Sequence, residues 1–212
     1  MKPEIKGLYK NQEKDYKKAY DLYVEAFAHY PKLAFAFPAW ESRQAAIEMV
    51  VAYFLPYDLK FGNIYSLDEN INEAIAVAYS EDIDFSRENC EKAGCVNDKF
   101  NAAAARLTEE QLNYWWGFFD ELDRQESALD LPDRYIYADF VAVRTGMQGE
   151  GRGSKIIQAL CRFADEEGLP VMLFTNGEED IKFYLKNGFR QIAVTQSDEF
   201  KMKNTYMLYE PR

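Results

Sequence analysis

At 212 residues and 48% hydrophobic content the chain can bury a proper core and is too apolar to be disordered. Its formal net charge of −11 disfavours nucleic acid and anionic membranes, which need a basic footprint, and favours cationic partners. Three cysteines, Cys90, Cys95 and Cys161, with a single histidine, His29, are too few for a structural zinc site, so no metal is expected and the thiols read as free in a reducing, cytoplasmic setting.

The opening MKPEIKGLYKNQEK is charged, and nowhere does a run of about 18 apolar residues occur, so a soluble protein is expected. Residues 5–10 can form a first strand. Tyr16, Ala19, Tyr20, Tyr23, Ala26, Phe27 and Tyr30 then recur at helical spacing, an amphipathic helix with an aromatic face. Pro31 and Pro38 punctuate a connection, and Ile47, Val50, Val51 and Phe54 mark a second helix expected to end before Pro56. Residues 63–67 and 74–79 flank a polar turn and read as a β-hairpin. Residues 81–130 carry little strand signal. There Thr108 and Gln111 make a capping box, followed by Leu112, Trp115, Trp116, Phe119 and Leu122 on one face, so a helix is expected to about residue 128. A buried strand over 135–143, a glycine-dense turn, a helix over 154–167, a strand over 171–174, a helix over 178–187 and closing strands near 189–195 and 203–209 complete the order. Two parallel strands joined by a helix inside an otherwise antiparallel chain predict an α/β (mixed α+β) fold. Its mixed, mostly antiparallel sheet of about six or seven strands is flanked by helices. One domain over 1–212, with 81–130 as a helical insertion, is the expected organisation.

The glycine turn is the most telling segment. Gly149, Gly151 and Gly153 follow a buried strand and open a helix, so unpaired N–H groups point outward where no Cβ would hold a diphosphate away, with Arg152 and Lys155 beside them. A P-loop would need Lys then Ser or Thr directly after its last glycine, whereas Gly153-Ser154-Lys155 stands here. A dinucleotide fingerprint fails at Ser154 and comes too late in the chain, which disfavours a nucleotide-dependent oxidoreductase. The remaining spelling, Gln148-Gly149-Glu150-Gly151-Arg152-Gly153 after Val141-Ala142-Val143, resembles the pyrophosphate loop of the GNAT superfamily of acetyl-CoA-dependent N-acyltransferases. A second stretch, Tyr184-Leu185-Lys186-Asn187-Gly188-Phe189, resembles that family's later motif, a Tyr followed four residues on by Gly-Phe. Two departures occur: Arg144-Thr145 stands where Asp-Pro is common, and Asn176 lies one residue further from the Tyr than the family's Asn.

The resemblance implies two strands that splay to admit the pantetheine arm of acetyl-CoA beside Ala142 and Val143. It implies a diphosphate on Gln148, Gly149, Glu150, Gly151, Arg152, Gly153 and Ser154, and amide contacts from Asn176 and Asp180. Tyr184 would be the acid that protonates the departing thiolate, and the N–H of Val143 or its neighbour the oxyanion donor. The implied activity is N-acetylation of a small-molecule amine by direct attack in a ternary complex; the alternative is a non-catalytic acyl-CoA sensor or interaction module. Phe27, Tyr30, Phe37, Tyr79, Trp115 and Trp116 are candidates to wall an acceptor pocket, since ammonium groups are drawn to aromatic faces. Glu81, just after the hairpin, is the first choice of base. Acetyl-CoA is the expected co-substrate, and the expected assembly is a monomer or homodimer.

Overall fold

The computed structural model describes residues 3–28, 30 and 36–212; His29 and Pro31 lie outside the described residues. Among these, one sheet is built from β1 (Tyr9–Lys10), β2 (Ile64–Ser66), β3 (Glu73–Tyr79), β4 (Ile136–Val143), β5 (Val171–Thr175), β6 (Arg190–Ser197) and β7 (Met202–Tyr209), in the order β1-β2-β3-β4-β5-β7-β6. Only β4 and β5 run parallel. The helices are α1 (Tyr16–Phe27), α2 (Trp40–Phe61), α3 (Arg87–Ala93), α4 (Asp98–Ala104), α5 (Glu109–Ser127), α6 (Arg152–Glu167) and α7 (Glu178–Lys186). The mixed, mostly antiparallel sheet with helices on both faces is the architecture the sequence predicts. The expected first strand over 5–10 shrinks to two residues paired with β2.

α2 departs most from expectation, because it runs through Pro56 to Phe61 instead of stopping. A proline removes the N–H that the carbonyl four residues earlier would accept. That carbonyl belongs to Ala52, and the Asn97 side chain donates to it at 2.8 Å, so the break is repaired from outside. Asn97 also caps α4, accepting from the N–H groups of Lys99 and Phe100. Downstream, the Thr108–Gln111 capping box forms as expected and starts α5.

Two cores lie on the two faces of the sheet. One is formed by α1, α2 and α5, with Tyr23, Phe37, Ile47 and Trp115 buried; the other by α6 and α7, with Ile156, Ile157, Leu160 and Tyr184 buried. α6 buries Ile157 and Leu160 fully and exposes Lys155, Gln158 and Arg162, and each such aliphatic side chain contributes on the order of 2 kcal/mol. β3 divides its residues by parity: Ile75, Val77 and Tyr79 pack toward α6, whereas Ala74 and Ala76 face α1 and α2. Small side chains on that second face leave room above the sheet.

β4 and β5 pair only at Ile136↔Val171 and Tyr137↔Met172, although both strands continue. Beyond Tyr137 they part. On its other side β4 stays with β3, but the register jumps from Ala76↔Asp139 to Ala74↔Ala142, so Phe140 and Val141 oppose Ile75. Phe140 carries φ 47°, and its N–H donates to Asp139 Oδ1 at 2.7 Å. This is a β-bulge at the mouth of the gap, and it bends the strand away from its neighbour.

Candidate active site

The β4–β5 gap opens into a cavity of about 1110 Å³. Val143 and Gln148 line it from the loop side, Asn176, Asp180 and Tyr184 from β5 and α7, and Phe27, Tyr30, Trp115, Trp116 and Phe119 from α1, its following turn and α5. Five residues expected at the donor and four expected at the acceptor therefore share one space, whereas Ala142 and residues 149–154 of the loop do not line it.

The loop after β4 is held by its own chemistry. Gly149 and Gly151 take φ 84° and 77°, left-handed values that a side chain would strain. Gly151 caps α6 without a side chain, and the first intrahelical bond runs from Lys155 N–H to the Gly151 carbonyl at 3.0 Å. The N–H groups of Arg152, Gly153 and Ser154 thus precede the helical ladder, the usual cradle for an anion. α6 begins at Arg152, two residues earlier than expected. Gly153 has a different reason for being glycine: a Cβ there would meet the Phe183 ring at 3.3 Å and Val143 at 3.5 Å, so it lets α6 approach α7 and β4. Arg144 and Thr145, where the family commonly has Asp-Pro, both bond Glu25, the guanidinium at 2.8 Å and the Thr145 N–H at 2.8 Å, which ties the loop to α1.

Several assigned residues have other duties. Arg152 Nη1 lies 2.7 Å from Glu73 Oε2, and Glu73 is wholly buried, so the guanidinium compensates an interior carboxylate and is not a free phosphate ligand. Lys155 in the same turn is exposed, as is Glu150. Asn176 accepts from the Tyr30 hydroxyl at 3.1 Å and donates from Nδ2 to the Lys203 carbonyl at 2.8 Å and to Asn204 Oδ1; both of its amide hydrogens are used to fasten β5 to β7. Asp180 accepts from Thr175 Oγ1 at 3.2 Å, and burial raises its carboxyl above the usual range. Gln148 donates to the Val143 carbonyl at 3.3 Å.

Glu81, Tyr79 and Phe37 are not brought to the cavity. Glu81 is exposed and bonded to Arg134 Nε at 2.6 Å, and that guanidinium holds its carboxyl below the usual range, the reverse of what a base near neutrality requires. Tyr79 points to the α6 face, where its hydroxyl donates to Glu167 at 3.1 Å. Phe37 is fully buried against Trp115 and Tyr114. Tyr184 lines the cavity from α7. It is 7% exposed, and burial followed by the charge of Asp180 pushes its phenol well above the ordinary value, so it stays protonated at neutral pH.

Carboxylates that the sequence reading passed over enter the same space. Asp58 of α2 and Asp139 of β4 line the cavity wall, and Asp120, Asp123 and Glu126 follow one another along α5. Burial and then the charge of Asp139 push the Asp58 carboxyl up to about 8, while an Asn63 hydrogen bond works the other way. Burial lifts Asp139 to about 6, opposed by the Phe140 N–H. Asp58 has a consequence for stability. The unfolded chain ionises this group at about 4, whereas the folded chain keeps the proton to about 8. Its contribution is therefore fully present below pH ~4 and is lost as pH rises through the folded value. Asp58→Asn should melt higher than wild type at pH ~9, by several degrees at roughly 2–4 °C per kcal/mol, and match it at pH ~4. Parallel melting curves across pH would contradict this.

An open sheet with one bulged, splayed parallel pair, a glycine-opened helix start and a cavity lined by Tyr184 is the arrangement that the sequence resemblance implies. Residues 91–191 match the family model described as an acetyltransferase (GNAT) domain. Among solved structures, the chain is similar to a Drosophila melanogaster polyamine N-acetyltransferase that forms N-acetylagmatine (9% identity, 96% of this chain and 98% of that one, TM-score 0.62). It is similar to a putative arylalkylamine N-acetyltransferase 7 of the yellow fever mosquito (16%, 96% and 86%, TM-score 0.60) and to a histone acetyltransferase HPA2-related acetyltransferase of Corynebacterium glutamicum (17%, 100% and 98%, TM-score 0.57). No curated protein matches. The family match spans just under half of the chain, and the solved structures share its fold. No helix among the described residues is long and apolar enough to cross a membrane.

Proposed function

We propose that this protein transfers the acetyl group of acetyl-CoA to the amine of a small, cationic, partly apolar molecule, by direct attack while both are bound. The observation that carries the reading is the continuity of the β4–β5 gap with a cavity walled by aromatic rings and carboxylates, with Tyr184 at their junction. The residues fit the co-substrate: left-handed Gly149 and Gly151 and the free N–H groups of residues 152–154 suit a diphosphate, and β4 beyond Tyr137 has an edge unpaired on the β5 side for an extended amide arm. When bound, acetyl-CoA supplies the activated thioester. A backbone N–H of β4 near Val143 is offered to the developing oxyanion, and Tyr184 gives its proton to the leaving sulfur.

Direct attack is supported because none of the three cysteines lines the cavity, and burial pushes the thiols of Cys95 and Cys161 up to about 12, far from nucleophilic. A cationic acceptor is supported by the acids on α5 and by Trp115, Trp116 and Phe119, whose faces attract ammonium. The test is release of the CoA thiol with a panel of amines. Primary amines carrying an aromatic or aliphatic body should be turned over at least tenfold faster than anionic amines such as amino acids bearing a free carboxylate. Preference for the anionic ones would sink the acceptor assignment.

A further inference from the structure

We propose that Asp139, on the cavity face of β4 at the edge of its bulge, is the base that takes the proton from the acceptor's ammonium; this rests on the acetyltransferase reading above. Along β4, Ala138 and Val141 pack toward α6, whereas Phe140 and Ala142 pack toward α1 and α2. A regular strand would alternate without interruption. The bulge breaks the alternation, so Asp139 and Phe140 share the α1/α2 face, and Asp139 lines the cavity two residues beyond the last β4–β5 pair. A carboxylate placed between Tyr137 and Phe140 costs solvation that an apolar residue would not, and the neighbouring N–H at 2.7 Å answers only one of its oxygens. The remaining acceptor capacity is what an N–H of an amine needs.

The other carboxylates are worse placed. Glu81 is outside, Asp180 is bonded by Thr175, and Asp120 and Asp123 are exposed along α5. Glu126 sits half-buried beside Tyr135, and Asp58 keeps its own proton to about 8. The groups that face Asp139 are Tyr23 and Tyr30 from α1 and the turn after it, Asp58 from α2, Glu126 from α5, Tyr184 from α7, and Tyr137 on its own strand. At neutral pH Asp58 and the tyrosines are protonated, which leaves Asp139 and the Thr175-bonded Asp180 as the acids whose charge bears on Tyr184. In the step itself an ammonium N–H bond breaks, its electron pair stays on nitrogen as the nucleophilic lone pair, and the proton forms an O–H bond on Asp139, from which it passes to solvent through the mouth.

The test is the pH profile of kcat/KM for an amine that the wild type acetylates, compared with Asp139→Asn. Asn keeps an oxygen for the Phe140 N–H, so the bulge is retained. Wild type should show a rising limb near pH 6. The variant should lose roughly 10²-fold or more in kcat at pH 7, its limb should move to the amine's own ionisation, and its thermal stabilisation by acetyl-CoA should persist. Glu126→Gln should keep the limb. An Asp139→Asn enzyme with wild-type kcat and the same limb overturns the assignment while leaving the acetyltransferase reading intact; wild type that acetylates no amine overturns both. If the variant fails to fold, the wild-type profile decides, because a rate independent of pH between about 5 and 7 is incompatible with this base.

Discussion

Gly151→Asp is expected to abolish stabilisation by acetyl-CoA while leaving the protein folded. Beyond its chain neighbours no atom lies within 4 Å of a Cβ placed at residue 151, so the added Cβ itself causes no clash. Its φ of 77° is a left-handed conformation that Asp tolerates better than most residues. The carboxylate would instead occupy the space in front of the first N–H groups of α6 and place a negative charge where a diphosphate should lie. A thermal-shift titration reads the result directly: wild type should rise with acetyl-CoA and the variant should stay flat, with KM for acetyl-CoA raised by at least ~10²-fold in any residual activity. An unchanged shift would put the diphosphate elsewhere.

Tyr184→Phe should leave acetyl-CoA affinity intact and lower kcat by about 10²-fold or more, because only the proton donor is removed. The ring is packed against Phe183 and Phe189 at centroid distances of 5.1 and 5.6 Å, contacts that Phe preserves. The pH dependence should differ from that of Asp139→Asn: the phenol is pushed well above neutrality, so its loss scales the profile down without moving a limb near 6. Wild-type turnover in the Phe variant would mean that water or another acid protonates the sulfur.

The loop and helix start proposed for the donor were legible in the sequence because they rest on local chemistry. A helix start needs its glycines and free N–H groups within a few residues, and Gln148 to Ser154 spell that out. Tyr184 follows from the same short-range pattern, with Gly188 in its expected role behind the helix at φ 94°. The acceptor side was not legible, because it depends on which face each strand residue takes. Tyr79 was assigned to the pocket by type, yet the alternation Ile75, Val77, Tyr79 against Ala74, Ala76 sends it to α6. Asp139 stands in an apolar strand, Tyr135 to Val143, where an acid is a visible interruption; alternation puts it on the face of Ala76, and what composition does not announce is the bulge that turns Phe140 to the same face. Asp58 was hidden by a wrong boundary: a helix expected to stop at Pro56 carries it into the cavity only because Asn97, 45 positions away, satisfies the Ala52 carbonyl.

In the proposed mechanism, donor groove and acceptor cavity form one continuous site. This continuity is tested most directly with a single molecule in which CoA is joined through its sulfur and a two-carbon acyl bridge to an arylalkylamine, compared with CoA and the free amine at equal concentration by thermal shift. The conjugate should stabilise the protein well beyond the two separate ligands together, because linking them removes the cost of bringing in the second, and the excess should vanish in Gly151→Asp. A conjugate that stabilises no more than CoA alone would show that the cavity beside Tyr184 and Asp139 does not receive the amine.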